Sequence, residues 1–334
     1  MSERNKKSVI IALLIASIAA LFVVPLLGIS DIPIKVLLER SVEDKNYSIY
    51  WNIRLPRALL AFMVGAILSL CGMVYQAIFR NPLTTPFTLG ISSGAAFGAV
   101  AFIIFGSEIA FLGLAKTYLS AFLGAILSVL LLYLLMRIKG GFSTFIMLLA
   151  GVAINFIFSS LILFLQYIAD YTKVFHTYRW LMGNLGTYGF EKTATLFPFF
   201  IIGSFVILVF NKELNLMLLG EDLAVSRGLD TDRFKLFMFL LCSVMVGASV
   251  SLCGIIGFVG MVAPHISRLI IGSNHRYLAP ASLLFGGCFM VICDLISRKI
   301  VPPSEIPIGI ITALLGGPLF IWLLIRRGSN MMSF

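Results

Sequence analysis

Uninterrupted apolar runs recur from one end of this sequence to the other. Each is about 18 residues or longer, enough to cross roughly 30 Å of hydrocarbon as a helix. Inside a bilayer the backbone must satisfy its own polar groups, which leaves only helices or a closed barrel. A barrel needs alternating segments of about ten residues, whereas these runs are apolar on every face. Of the 334 residues, 60% are hydrophobic and only 12% are charged. Soluble domains carry roughly 25% charge, so a water-soluble enzyme is excluded. The sequence predicts an all-α, polytopic membrane protein whose residues 1–334 form one transmembrane domain.

Ten spans fit the runs, near 9–29, 56–79, 88–106, 112–136, 143–168, 193–210, 234–253, 255–271, 279–297 and 307–325. Between Arg233 and Arg268 no polar loop intervenes, so Gly254 and Gly257 mark the tight reversal that two crossings require. Arg4, Lys6 and Lys7 precede the first run. That run exceeds the core of about 7–15 residues found in a cleaved leader, so it reads as an uncleaved first span. An even number of spans puts both ends on one side. The basic residues at the start, with Arg326 and Arg327 after the last span, make that side cytoplasmic. The outer segments are then 30–55 and 169–192, and the long inner loop is 211–233, the best cytoplasmic contact surface. The net charge of +10 belongs to orientation and docking, because no dense basic, aromatic-studded patch of the nucleic-acid type is present.

Gly65-Ala-Ile-Leu-Ser69-Leu-Cys-Gly72 recurs 182 residues later as Gly247-Ala-Ser-Val-Ser251-Leu-Cys-Gly254, and the same offset carries Pro82 onto Pro264. In each copy Gly, Ser and Gly lie at i, i+4 and i+7, a stripe that lets two helix backbones approach closely in lipid. On the topology above the two copies run in opposite directions, so the chain carries a partial inverted repeat, a transporter device.

Several polar motifs interrupt the apolar pattern. Arg54-Leu-Pro-Arg57 opens the second span with proline in a first helical turn, where no donor is lost. The two arginines suit either an interfacial anchor or an acidic docking partner. Asp294 and Arg298 are spaced i, i+4. An acid in a span is costly unless paired, so a bridge is expected there, with Arg298 also able to face outward. Asn81-Pro82-Leu83-Thr84-Thr85-Pro86 stops any continuous helix at the inner side and suggests a loop or a constriction. Gly220, Glu221, Asp222, Leu223, Ala224, Arg227 and Gly228 define about two turns of amphipathic helix between glycines, with Leu223 and Arg227 on one face. Such a helix suits a partner's groove. Gly90-Ile-Ser92-Ser93-Gly94 matches a nucleophile-elbow pattern but opens an apolar span, so it reads as packing rather than hydrolase chemistry. No GxxxxGK[ST] occurs, so the chain carries no phosphate-binding loop of that type. The five cysteines lie in apolar runs and the three histidines are dispersed, which predicts no intrinsic metal site.

With these motifs in order, the chain resembles the FecCD/BtuC-type permeases of binding-protein-dependent ABC importers over nearly its whole length. The matching residues run from Arg54-Leu-Pro-Arg57 through Leu89-Gly-Ile-Ser-Ser-Gly-Ala95 and Leu149-Ala-Gly-Val-Ala153. They continue through Gly257-Phe-Val-Gly260, Pro264-His-Ile-Ser-Arg268 and His275-Arg276 to Glu305-Ile-Pro-Ile-Gly309 and Gly316-Gly-Pro318. The resemblance implies a BtuC-like, type II importer fold in a bacterial or archaeal cytoplasmic membrane. It implies a second permease copy as homodimer partner, two ATPase subunits inside that supply ATP and magnesium, and an extracytoplasmic substrate-binding protein. It gives no cofactor to this chain. By the same resemblance Arg54, Arg57 and Arg298 meet acids of the binding protein, and 220–228 couples to the ATPase. Asn81, Pro82, Leu83, Ser143 and Thr144 stand at the inner gate, and the fifth span lines the pathway. The expected cargo is a metal chelate, ferric siderophore first, haem or cobalamin next. The alternative is an ion-coupled secondary transporter, which needs acids or histidines at mid-membrane that these spans largely lack.

Overall fold

The computed structural model describes residues 3–28, 32–33, 45–106, 113–138 and 144–327. Ser143 and most of 30–44 lie outside them. The described residues fold into α1 (Glu3–Val23), α2 (Lys45–Ile49), α3 (Leu55–Ile78), α4 (Ile91–Phe105), α5 (Gly113–Ile138), α6 (Thr144–Ile168) and α7 (Tyr171–Leu181). These are followed by α8 (Glu191–Val209), α9 (Asn211–Leu219), α10 (Glu221–Ser226), α11 (Thr231–Cys253), α12 (Val259–Ile271), α13 (His275–Lys299) and α14 (Ile308–Arg327).

Among the described residues, seven helical stretches are long and apolar enough to cross a membrane, and three shorter apolar helices, Ile91–Phe105, Val259–Ile271 and Ile308–Trp322, complete the ten segments read from the sequence. Two boundaries differ from expectation. The eighth segment begins as irregular chain from Gly254 and becomes helical only at Val259. Its 13 residues rise about 20 Å, shorter than the hydrocarbon they stand in. The second segment does not start at Pro56: the helix runs from Lys45 through a π-helical turn, Tyr50–Arg54. Pro56 has no N–H for the carbonyl of Asn52, and that carbonyl accepts the Gly189 N–H instead, at 2.7 Å. A proline that would have broken a solvent-exposed helix here joins two distant segments.

α3 is the centre of the bundle, and every residue in it except Leu59 is buried. It is walled by other backbones. A Cβ on Gly65 would stand 2.3 Å from the Gly286 carbonyl of α13, and one on Gly72 would stand 1.8 Å from the Gly260 carbonyl of α12. Between them Ser69 Oγ donates to the Ser282 carbonyl at 2.7 Å. Pro264 removes the helical bond that Gly260 would otherwise accept, so the carbonyl facing Gly72 is the one α12 does not use. The second copy of the repeat is used differently. Gly247 packs on Ala125 and Phe122 of α5, Ser251 bonds within its own helix, and Gly254 caps α11. Pro82 lies in a turn whereas Pro264 lies inside α12, so the repeat's symmetry ends at the helix boundaries. A third close approach joins α4 to α5, where Gly94 and Gly98 meet the carbonyls of Gly124 and Ser120.

Outside this core the helices turn large apolar side chains outward. Leu119, Leu123 and Leu130 of α5 and Phe156, Leu163 and Phe164 of α6 are exposed. In water such faces would be an aggregation hazard; in lipid, or against another subunit, they are ordinary.

Candidate functional site

Two polar assemblies sit at opposite ends of the bundle. The first is built around Asp294, 1% exposed, near the end of α13. One carboxylate oxygen accepts from Arg57 Nε at 2.8 Å and the other from Arg298 Nε at 3.0 Å. Arg57 Nη1 also reaches both oxygens of Glu305, at 3.0 and 2.8 Å. The i, i+4 bridge between Asp294 and Arg298 stands as the spacing implies. The outward-facing role of the arginines does not stand in that simple form, because Arg57 is 8% and Arg298 7% exposed. A buried carboxylate is tolerable only with strong donors around it, and Asp294 draws both guanidiniums inward.

Arg54 ends the π-helical turn, and its Nη1 donates to the carbonyls of Pro25 and Leu26 at 3.2 and 3.3 Å. Arg298 Nη1 adds the Leu27 carbonyl at 3.4 Å. The carbonyls that close the 3-10 turn after α1 are thus met by cations, the charge a helix C-terminus attracts. A recess opens beside this cluster, with Arg57, Glu305, Arg179 and Asn184 on its wall. Glu305, whose side chain is 45% exposed, forms the cluster's solvent-facing edge.

At the opposite end, α10 hangs between two glycines in left-handed or extended positive-φ conformations, Gly220 at φ +118° and Gly228 at φ +85°. L-residues adopt such angles only at a cost, and glycine supplies them freely. Within α10, Ala224 is fully buried while Leu223 and Val225 are 55% and 58% exposed. Asp222 and Arg227 are exposed beside them. Lys235, 1% exposed at the start of α11, places Nζ 2.6 Å from Glu221 Oε1 and ties the small helix to the bundle. The 80–90 turn lies at this end too, with Arg80 Nη1 near Gly220. In that turn the Asn81 side chain accepts the Leu83 N–H at 2.9 Å, Pro82 is half-buried and Leu83 is exposed. Thr144 opens α6 and is half-buried.

Further residues at this end join helices and were not read from sequence. Arg268 Nη2 donates to Gln76 Oε1 at 3.0 Å, linking α12 to α3. Asn215 of α9 holds the start of α13, accepting the His275 N–H at 2.8 Å. Lys235 did carry a signal, a lone cation one residue into an apolar run; Asn215 carried none.

The comparisons with known proteins follow this geometry. The model of the FecCD transport family matches residues 10–326. The hemin transport system permease protein HmuU of Yersinia pestis is 36% identical over 306 residues, covering 90% of each chain. The molybdate import system permease protein MolB of Haemophilus influenzae is 36% identical over 293 residues, 86% of this chain and 85% of its own. A solved structure described as a metal-chelate type ABC transporter in an inward-facing conformation superposes with a TM-score of 0.87 at 32% identity, covering 96% of this chain and 99% of the other. Ten apolar segments in this order, a glycine-hung helix at one end and an arginine–carboxylate cluster at the other, matched by the family over nearly the full length, establish that the chain belongs to the FecCD transport family.

Proposed function

We propose that this chain is the membrane-spanning subunit of an ABC importer that admits a metal chelate by alternating access, driven by a separate ATPase. The supporting observation is α10: two exposed aliphatic side chains beside exposed charges, on a helix whose ends are set by glycines and whose base is bonded to α11. That is an apolar plug with a charged rim, the pattern of an interface anchor. It is the surface by which the ATPase grips the permease, and ATP and magnesium belong to that partner. The end carrying α10 faces the cytoplasm, with both chain termini. The arginine end receives a binding protein, with Arg54 and the Arg57–Glu305 edge as its contact. Asn81, Pro82, Leu83 and Thr144, with Ser143 outside the described residues, form the inner gate. A second copy covers the exposed faces of the pathway helices, α6 among them. Haem and molybdate relatives at equal identity leave the fold indifferent to cargo. A ferric siderophore or another metal chelate is the proposed class.

The test is ATP-driven uptake in proteoliposomes containing permease, ATPase and binding protein. Leu223→Ala removes an exposed anchor that docking would bury, an effect of about 2 kcal/mol, or roughly thirtyfold in ATPase affinity, and uptake should fall with it. Undiminished uptake by Leu223→Ala and by Glu221→Ala/Arg227→Ala would overturn the coupling role. Cargo is read by presenting the binding protein with ferric siderophores, haem, corrinoids and bare molybdate. Tight binding of molybdate alone would replace the chelate assignment.

A further inference from the structure

α13, like α3 beside it, runs from one polar assembly to the other, and it carries Asp294 and Arg298 at one end and the joint to α9 at the other. Its 25 residues rise about 37 Å, more than the roughly 30 Å of a bilayer's hydrocarbon. At its start Asn274 is the N-cap, its side chain accepting the Arg276 N–H at 3.0 Å. Asn215 of α9 completes the joint. Its Oδ1 accepts the His275 N–H at 2.8 Å and lies 2.9 Å from His275 Nδ1, while its Nδ2 donates to Asn274 Oδ1 at 3.2 Å. α9 is continuous with α10 through Gly220. At the far end of α13, Asp294 holds Arg57 and Arg298, and Ser297 Oγ donates to the Ile306 carbonyl, one residue from Glu305. Between these ends α13 is clamped to α3 by the Gly65–Gly286 approach and the Ser69–Ser282 bond, and α3 itself begins at the arginine end. The rival route, through Lys235 and α11, reaches the wall of the recess, where the Cys253 carbonyl accepts the Asn184 N–H, but its contacts there are to Trp180, Gly183 and Asn184, whereas α13 itself carries Asp294 and Arg298.

We infer that α13, locked to α3, is a strut that carries the nucleotide state of the ATPase to the binding-protein contact, and that Asn215 is the positioning residue joining the strut to the coupling segment. This rests on the permease reading above. A small displacement of α9 pulls on three hydrogen bonds at the start of α13. The packed strut cannot absorb it, so it reaches Asp294. Charged hydrogen bonds of 2.8 and 3.0 Å weaken as they lengthen, and loosening them changes what the arginines offer a docking carboxylate. By reciprocity, docking at that end is felt at α10.

The experiment uses the full complex, permease with ATPase in lipid nanodiscs, and titrates binding protein in the nucleotide-free and vanadate-trapped states. In the wild type the two Kd values should differ by about tenfold or more, a usual coupling between sites. Asn215→Ala should bring them within about twofold of each other, with ATPase co-purification scored on the same sample. Asn215→Asp keeps the acceptor for the His275 N–H but loses the donor to Asn274 Oδ1, and should recover the difference in part, to a ratio between those of Asn215→Ala and the wild type. If Asn215→Ala complexes do not assemble, Asn274→Ser keeps a good N-cap oxygen but withdraws it from Asn215, and should reduce the ratio. A full wild-type ratio in Asn215→Ala or Asn274→Ser, or no recovery in Asn215→Asp, overturns the strut. So does a wild-type complex that hydrolyses ATP and transports yet shows one Kd in both states. A wild-type chain that captures no ATPase overturns the permease reading instead.

Discussion

Glu305 occupies the one side of Arg57 that faces solvent, so it stands where an incoming carboxylate would bind. Changing Glu305 to Gln keeps the side chain's shape and one acceptor oxygen but removes its charge. Two charges about 4 Å apart at an effective dielectric of 20 interact by roughly 4 kcal/mol. Glu305 is too exposed for that figure, because solvent screens it. An exposed pair is worth up to about 1 kcal/mol, and the burial of the Arg57 end supports the upper part of that range. Releasing that interaction to a docking acid gives roughly fivefold tighter binding of the binding protein. The gain should shrink as ionic strength rises and the Debye length falls below 10 Å. The assay is binding-protein affinity for the nanodisc complex at two salt concentrations, for Glu305→Gln alone and in an Arg57→Gln background. In that background the gain should vanish, since the freed partner is gone. Unchanged affinity at low salt, or an equal gain without Arg57, would refute the idea that Glu305 competes with the docking acid.

Asp294→Ala leaves Arg57 and Arg298 without the buried carboxylate between them and should destabilise the chain by about 3–5 kcal/mol, read as a large fall in thermal unfolding temperature in detergent. Loss of less than about 1 kcal/mol would show that the cluster is hydrated and loosely held. Gly72→Ala sets a Cβ against the Gly260 carbonyl, which must push α12 away; a cost of about 3 kcal/mol follows for overpacking of this kind. Gly257→Ala, where a Cβ meets nothing within 4 Å, is the control and should leave the unfolding temperature nearly unchanged.

Membrane thickness sets segment length, so apolar runs declare themselves, and most of the ten segments begin and end close to where the runs do. Two depart: the helix leading into α3 starts at Lys45, ahead of its run, and no composition change marks the start of α12, since Gly254 to Phe258 is apolar but not helical. α7 escaped notice because Tyr171–Leu181 mixes rings, Lys173, His176 and Arg179 in nearly equal measure, with no apolar stripe long enough to announce a helix. The glycines bracketing α10 were legible because left-handed backbone narrows the choice of residue. The sequence left Arg57 as either an interfacial anchor or a docking cation, and its bond to Glu305 could not be read because that partner lies 248 residues away in the chain. Spacing rules reach i+4 and no further. Asn215 was invisible for the same reason, since its worth comes only from the helix end it meets.

The walls of α3 have a consequence for how such importers diversify. Glycine-to-carbonyl contacts at Gly65 and Gly72 admit no larger residue without moving a neighbouring helix, so this axle is closed to change from within. New cargo must be accommodated by side chains on peripheral helices such as α6, whose outward faces carry exposed side chains rather than close backbone contacts within the chain. A protein arranged in this way can alter what it swallows while its driving gear stays the same.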